Sequence, residues 1–313
     1  MTLGGVMIQI IGAGAIGCLW LAKLQQINEP CHIVSRTPLN TSLLTFTNIS
    51  GQISTFTISH SQHLLNSTEA EKQSTILVCV KAQQVLNALL AQQHYITEQQ
   101  PIILMHNGYG CAEEVIKYFP NNPIICATTA NASLLKSQLN ITESGNGPSY
   151  FGPFNSESQG LSSIILPMQK AMNHVFWSEN IVEKCWLKLA INAIINPITA
   201  LEQIKNGVLS APIYQKVIHE LILEVVSIAE AEDIHFKTEC IKKTVYDVIK
   251  ATSKNLSSMN RDVFYQRETE IDFINGYLIK KAQLHGIKVP YLNEFNQKIK
   301  ALEHPQSIAV DKV

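Results

Sequence analysis

Charged residues are scarce in this chain of 313 residues. Asp, Glu, Lys and Arg make up 16% of it, and 24 basic residues nearly balance 25 acidic ones for a net charge of -1. So weak a field gives no general attraction to nucleic acid or acidic membranes, and neither is expected as a partner. The 46% of hydrophobic residues also exclude a disordered chain.

Cysteine pairs at metal-binding spacing are absent as well. The seven cysteines form no Cys-x-x-Cys, and no two of them are closer than 13 residues. This spacing disfavours a zinc ribbon or a disulfide framework and favours a reducing compartment. His60-x-x-His63 has no clustered cysteine or carboxylate beside it, so no metal site is predicted.

An N-terminal basic segment and long apolar runs are also missing. No Lys or Arg precedes Lys23, and three glycines interrupt the apolar start. A secretory signal needs a basic start and an unbroken apolar core. A membrane-spanning helix requires about 18 uninterrupted apolar residues, and no such stretch occurs. We therefore expect a soluble, cytoplasmic protein.

Composition changes near residue 178 and predicts two domains. Residues 1–178 hold 15 charged residues and 12 glycines, whereas residues 179–313 hold 34 and 3. We expect a nucleotide-binding domain over 1–178, a helical substrate and catalytic domain over 179–305, and a tail over 306–313.

The first part alternates short β-branched runs with helical stretches, which is typical of a parallel α/β sheet. Its predicted strands are Met7–Ile11, Cys31–Val34, Thr75–Val80, Ile102–Met105 and Ile124–Ala127. Its predicted helices are Ile16–Gln26, Ala82–Gln92 and Cys111–Tyr118. Short segments at Ser133–Leu135, Asn140–Glu143 and Ser149–Gly152 indicate antiparallel hairpins.

The second part shows apolar residues at three- and four-residue spacing with charges between them, as in an all-helical domain. The predicted fold class is therefore α/β, with an N-terminal Rossmann-type parallel sheet domain and a C-terminal all-α domain. The helices are predicted at Glu183–Asn196, Ile213–Glu232, Thr238–Ala251 and Glu268–His285.

A glycine-rich motif follows the first predicted strand directly. Each glycine has its own purpose: Gly12 makes the tight turn, Gly14 lets the backbone approach a pyrophosphate, and Gly17 lets helix and strand pack closely. The N–H groups of the helix N-terminus then meet the phosphates. The strand–turn–helix context favours a dinucleotide site over a turn without ligand. The motif is Gly12, Ala13, Gly14, Ala15, Ile16 and Gly17.

The end of the second strand favours NADP over NAD. NAD-binding enzymes usually place an acidic residue there for the ribose 2′-OH, but no Asp or Glu lies between Glu29 and Glu69. Arg36 suits a 2′-phosphate instead, through charge-assisted hydrogen bonds; the alternative is that it is a solvated loop residue. Lys81 and Asn107 follow two later strands, where ligands of such sheets bind, although either could belong to an ordinary turn or helix start.

The helical part carries an unusual polar stripe. Lys188, Asn192 and Asn196 recur every four residues and share one helix face among apolar neighbours. Burial there would lower the pKa of the lysine and prepare it to give up a proton; the alternative is a narrow stripe that meets water. Ser258 and Glu270 form a second cluster further on.

These motifs resemble the 2-dehydropantoate 2-reductase (ketopantoate reductase) family, over about residues 7–293. The segment from Lys188 to Leu201 is the most specific block. The departure is Asn131, where many relatives would have His. The other matching motifs are the glycine loop, Lys81-Ala82, His106-Asn107-Gly108, Asn206-Gly207, Ser257-Ser258-Met259, Thr269 to Gly276, Gly286 and Pro290.

The resemblance implies a role for each residue. Lys188 corresponds to the catalytic lysine, and Asn107 and Glu270 to cofactor and active-site positions. The substrate-binding positions are Asn192, Asn196, Asn206 and Ser258. The implied function is the NADPH-dependent reduction of 2-dehydropantoate to (R)-pantoate in pantothenate and coenzyme A biosynthesis, with Lys188 as general acid. A small 2-keto acid is the expected partner, and a homodimer is left open.

Two alternatives stay open at this stage. One is another NADP-dependent 2-keto or hydroxy-acid dehydrogenase of the same architecture. The other is a non-catalytic NADPH-binding sensor, against which the lysine argues because a sensor needs no proton donor.

Overall fold

The computed structural model describes residues 7–303, which form two compact units. The first unit runs to His106 and resumes over Cys111–Lys184, and the second takes Asn107–Gly110 and the chain from Cys185 onward. This division lies a few residues after the predicted boundary at 178. The predicted tail, residues 306–313, lies outside the described residues.

The first unit is built on a large sheet in the strand order β12-β11-β8-β7-β6-β1-β2-β5. All pairings from β5 to β8 are parallel, β11 joins β8 antiparallel, and β12 is parallel to β11. A second sheet has the order β4-β3-β10-β9. The strands are β1 (Ile8–Ile11), β2 (Cys31–Val34), β3 (Leu43–Thr47), β4 (Ile53–Thr57), β5 (Ser59–Ser61), β6 (Thr75–Val78), β7 (Ile102–Met105), β8 (Ile124–Thr129), β9 (Ala132–Ser137), β10 (Asn140–Gly145), β11 (Ser149–Pro153) and β12 (Val175–Trp177).

The central strands are buried along their whole length, which explains why most of their residues are apolar. Helix α1 packs against them through Trp20, which is fully buried and donates its indole N–H to the Met105 sulfur at 2.9 Å. The helices of this unit are α1 (Ala15–Gln26), α2 (Glu69–Lys72), α3 (Val85–Leu90), α4 (Cys111–Tyr118) and α5 (Leu166–Ala171).

The second unit is helical. Its helices are α6 (Ile181–Glu202, which begins in the first unit), α7 (Gln215–Ala231), α8 (Thr238–Ala251), α9 (Ser258–Phe264), α10 (Ile271–Leu284) and α11 (Pro290–Glu303). The predicted fold class is confirmed. The sequence reading missed β3, β4, β5, β12, α2, α5, α9 and α11, and it began α10 three residues early.

Polar contacts between side chains and neighbouring helices fix the helices of this unit to one another. The Glu224 carboxylate on α7 accepts the backbone N–H groups of Tyr291 and Leu292, both at 2.8 Å, at the start of α11. These two N–H groups have no partner within their own helix. Glu232 at the end of α7 pairs with Lys281 of α10 at 2.6 Å. No helix within residues 7–303 combines the length and the apolar character needed to cross a membrane.

Candidate active site

The glycine loop joins β1 to α1, and two of its glycines are required by the protein itself. Gly12 has φ +113°, and a Cβ there would lie 2.7 Å from the Cys79 carbonyl oxygen. A Cβ on Gly17 would lie 2.0 Å from the Gly12 carbonyl oxygen. Both positions therefore exclude a side chain for reasons internal to the fold.

Gly14 is different, because nothing in the protein occupies the space of its missing side chain. Its φ of -82° suits any residue, and the nearest protein atom to a methyl group added there would be 3.9 Å away. The space lies at the N-terminus of the 12-residue helix α1, whose first turn has no acidic residue and whose cap uses no side chain. An open cradle at a helix N-terminus suits an anion such as a pyrophosphate. The loop therefore fits a dinucleotide.

Arg36 lies just beyond β2, in the position that the sequence predicts for a 2′-phosphate contact. Its side chain is exposed, while its backbone carbonyl accepts the amide of Gln62 at 3.0 Å. Next to it, the buried Ser35 donates its N–H to the Ser61 carbonyl of β5. The backbone is thus held while the guanidinium is left accessible.

The two residues predicted after later strands belong to different units. Lys81 is half-buried in the first unit, where it directly precedes the short 3-10 turn Ala82–Gln84. Asn107 belongs to the helical unit, and its amide donates to the Glu270 carboxylate at 3.0 Å. The following residue, Gly108, has φ +81°, and a Cβ there would lie 2.5 Å from the Phe273 carbonyl oxygen. The Asn107 loop is therefore seated on the first turn of α10.

Lys188 lies near Glu270 in the same unit. Burial lowers the pKa of the Lys188 ammonium, whereas the nearby Glu270 carboxylate and, to a smaller extent, Cys185 act to raise it. The net direction is downward. Glu270 is buried and stands directly before α10, where the helix N-terminus favours its negative charge. The arrangement holds a lysine ammonium of lowered pKa near a carboxylate.

Asn192 and Asn196 follow Lys188 on successive turns of α6. Asn196 is 7% exposed, and Asn192 is half-buried. Neither side-chain amide is among the buried polar atoms without a partner in residues 7–303, and both are therefore open to solvent or to a ligand. Two asparagine amides on the same helix face as Lys188 are suited to hold the oxygens of a small acid.

Ser258 and Asn206 have less direct support. Ser258 is exposed at the start of α9, and it is the preceding Ser257 that caps this helix by accepting the Asn260 N–H at 3.0 Å. Asn206 is buried and donates to the Thr252 hydroxyl at 2.9 Å, which ties the turn Asn206–Ser210 to α8. The structure thus gives Asn206 a bracing contact, and its predicted substrate contact stays a prediction.

Sequence reasoning missed a network at the end of α6. The Thr199 hydroxyl donates to Ser257 at 2.8 Å, and the Asn260 amide donates to the Thr199 carbonyl at 2.6 Å. All three residues are buried. They bring α9, and with it Ser258, against the helix that carries Lys188. The spacing of small polar residues was the only sequence signal for this network.

The side-chain amide of Asn131, the departure from the family pattern, forms hydrogen bonds within the first unit through both its nitrogen and its oxygen. Its amide N–H groups reach the Thr129 hydroxyl at 3.1 Å and the Ser149 hydroxyl at 3.0 Å, and its carbonyl accepts the Gly147 N–H at 3.1 Å. The residue is 7% exposed. These contacts join β8 to β11.

The two histidines of His60-x-x-His63 contact different residues. His60 bonds to the Ser42 hydroxyl at 3.0 Å, and His63 stacks on Tyr95. Among the residues that the structure describes, no group of three His, Cys, Asp or Glu side chains is placed to hold a metal ion.

Comparison with known proteins places both halves of the chain. The family model described as "Ketopantoate reductase PanE/ApbA" matches residues 8–156, and the one described as "Ketopantoate reductase PanE/ApbA C terminal" matches residues 180–303. A 2-dehydropantoate 2-reductase of Vibrio cholerae is 35% identical over 302 residues, which cover 96% of this chain and 99% of that protein.

Two solved structures share the fold at low sequence identity. One, described as a dimeric ketopantoate reductase from Staphylococcus aureus, is 22% identical with a TM-score of 0.79, and the alignment covers 96% of this chain and 99% of that one. The other, described as D-mandelate dehydrogenase with NADH and anilino(oxo)acetate, is 20% identical with a TM-score of 0.84 and the same coverage.

Proposed function

Because this chain belongs to the ketopantoate reductase PanE/ApbA family, we propose that it reduces 2-dehydropantoate to (R)-pantoate with NADPH, a step of pantothenate and coenzyme A biosynthesis. Its class, an oxidoreductase of this family, is the one predicted from the sequence and is confirmed. The observation that carries the proposal is the buried Lys188 ammonium under the influence of the Glu270 carboxylate, on a helix face that also carries Asn192 and Asn196.

The glycine loop and Arg36 are the groups that would hold the cofactor. The cradle at Gly14 receives the pyrophosphate, and the exposed guanidinium of Arg36 binds the 2′-phosphate. When bound, the reduced nicotinamide supplies a hydride to the 2-keto carbon.

Lys188 supplies the proton. A carbonyl oxygen that receives a hydride at its carbon develops the charge of an alkoxide, which needs a proton donor and fixed hydrogen-bond donors. Burial brings the pKa of Lys188 down towards the working range of a general acid, while the Glu270 carboxylate keeps the ammonium protonated and in place. Asn192 and Asn196 hold the oxygens of the acid, and Ser258 adds a hydroxyl at the edge.

The Lys188→Ala variant tests this assignment in an assay of ketopantoate-dependent NADPH oxidation. We expect turnover to fall at least about a hundredfold, since a general acid is worth roughly 10²–10⁴ in rate. NADPH affinity, measured by fluorescence titration, should stay that of the wild type. Lys243→Ala is the matched control, because Lys243 is an exposed lysine paired with Asp247 on α8. Wild-type turnover in Lys188→Ala would refute the role of this lysine.

The Arg36→Ala variant tests the cofactor. We expect the wild type to bind NADPH at least about tenfold tighter than NADH, because hydrogen bonds to charged groups contribute about 1.5–3 kcal/mol. Arg36→Ala should lose most of that preference, whereas the control Lys136→Ala, at an exposed cation of the second sheet, should keep it. Equal affinities of the wild type for both nucleotides would overturn the NADPH assignment.

The range of substrates separates this proposal from its alternatives. The fold also serves a D-mandelate dehydrogenase, so the panel should include phenylglyoxylate beside 2-dehydropantoate and other branched 2-keto acids. Faster turnover of another acid would make the chain a different 2-keto-acid reductase. Tight NADPH binding without any turnover would favour a sensor. Whether the chain forms a homodimer, the state described for the Staphylococcus aureus neighbour, is tested by light scattering.

A further inference from the structure

Helix α6 contains a proline in its interior, between the turns that carry the asparagines and its C-terminal end. Pro197 has no N–H, so it cannot donate to the carbonyl four residues earlier, that of Ala193. This carbonyl belongs to the turn that begins with Asn192. Since the segment is buried, water cannot readily serve it in place of the missing donor.

A side chain from another helix takes the place of the missing donor. The amide of Asn275, on the second turn of α10, donates to the Ala193 carbonyl at 3.4 Å. Asn275 is fully buried, with 0% of its surface exposed. The two helices are thus joined at the one backbone group that the proline frees.

The arrangement is unfavourable for the stability of the fold. The other polar atom of Asn275, its Oδ1, is buried without a partner among residues 7–303, and an unpaired buried polar group is destabilising. Such local conflicts in a stable fold are expected where a functional site demands them.

We propose that Asn275 is a positioning residue for Lys188: its bond to the Ala193 carbonyl, which Pro197 leaves without a helical donor, holds α6 in register with α10. As a positioning residue, Asn275 is not expected to touch substrate or cofactor. It acts through the alignment of Lys188, on α6, with Glu270, which stands directly before α10. The inference rests on the proposed function only for the assignment of Lys188 as the proton donor.

The contact has a consequence that can be measured on Lys188 itself. The charged or titratable groups that set the pKa of Lys188 are Glu270 beside α10 and Cys185 on α6. Burial raises the pKa of Cys185 to about 12, so its thiol is neutral in the working range. If α6 slips relative to α10, the Glu270 carboxylate recedes and the pKa of Lys188 falls further.

Asn275→Leu removes the donor, and Asn293→Leu is the matched control. Asn293 also donates its amide to a backbone carbonyl, that of Val289 at 2.8 Å, but it lies on α11. We expect Asn275→Leu to lower kcat about five- to tenfold, in line with one buried hydrogen bond, without changing NADPH affinity. The basic limb of the pH–rate profile should move to lower pH. The control should keep both the rate and the profile.

Pro197→Ala makes the test specific, because it returns a backbone N–H to the Ala193 carbonyl. In that background the Asn275 amide is redundant, so Asn275→Leu should change kcat less than about twofold. Equal losses from Asn275→Leu in the wild-type and Pro197→Ala backgrounds would overturn the proposal. A variant that only loses thermal stability, with its rate and pH profile unchanged, would also overturn it.

Competitive acetylation of lysines with acetic anhydride, followed across a pH series by mass spectrometry, gives a readout that needs no activity. Asn275→Leu should lower the pKa of Lys188 by at least about half a unit, while the exposed Lys243 titrates as in the wild type. If the wild type reduces no keto acid but this shift is present, the proposed function fails and the positioning role stands. An unchanged pKa of Lys188 refutes the positioning role in either case.

Discussion

A substitution in the glycine loop is predicted to weaken cofactor binding without destabilising the fold. Gly14→Ala adds a methyl group to a space where the nearest protein atom is 3.9 Å away, at a backbone conformation that alanine adopts freely. The folded protein should accept it, and the loss of freedom in the unfolded chain should even stabilise the fold by about 0.4–1 kcal/mol. The same methyl group would stand where a pyrophosphate approaches the helix N-terminus.

The expected loss is therefore in cofactor affinity alone. We expect NADPH to bind Gly14→Ala at least about tenfold more weakly, which is about 1.4 kcal/mol of binding free energy. Gly17→Ala is the contrasting variant, because its Cβ would lie 2.0 Å from the Gly12 carbonyl oxygen. Overpacking against a backbone atom should cost about 3 kcal/mol or more of folding free energy.

Two measurements on each variant decide the matter: urea unfolding for stability and fluorescence titration for NADPH. The reasoning predicts a stable Gly14→Ala that binds poorly, and a destabilised Gly17→Ala. If Gly14→Ala binds NADPH as tightly as the wild type, the open space is not the pyrophosphate cradle. If it unfolds as easily as Gly17→Ala, the space is not open.

Three further predictions concern the helical unit. Glu224→Ala leaves the N–H groups of Tyr291 and Leu292 without their acceptor and should lower the free energy of unfolding by about 2–4 kcal/mol at neutral pH; no loss in urea unfolding would contradict the capping role. Burial raises the pKa of Glu224 in the folded protein despite these two bonds. The free energy of unfolding of the wild type should therefore fall as the pH rises from the usual glutamate pKa through the raised pKa of Glu224. Glu224→Gln should remove this pH dependence. Gly108→Ala would place a methyl group 2.5 Å from the Phe273 carbonyl oxygen, and it should lower turnover by moving Asn107 away from Glu270; an unchanged kcat would speak against a role of this loop.

Much of the first unit could be read from the sequence because its elements are locally encoded. The strands Cys31–Val34 and Ile102–Met105 have the predicted bounds, since short, mainly apolar runs between turn residues are typical of buried parallel strands. The helix Cys111–Tyr118 also has its predicted bounds. The strand Leu43–Thr47 was missed although Leu44 and Phe46 alternate as its buried side chains. The turn that follows it, with Gly51 at φ +84°, was the available signal.

The sequence by itself determined the glycine loop, the cation after the second strand and the stripe that begins at Lys188, because each follows from residue type and spacing along one element. Only the tertiary structure decided which of these groups meet. It seats Asn107 on the helical unit beside Glu270 and brings Asn275 to the carbonyl freed by Pro197. These pairs lie far apart in the chain, and the packing of one helix on another cannot be read from a single sequence. The lowered pKa of Lys188 has the same origin, since burial and the Glu270 carboxylate act through space.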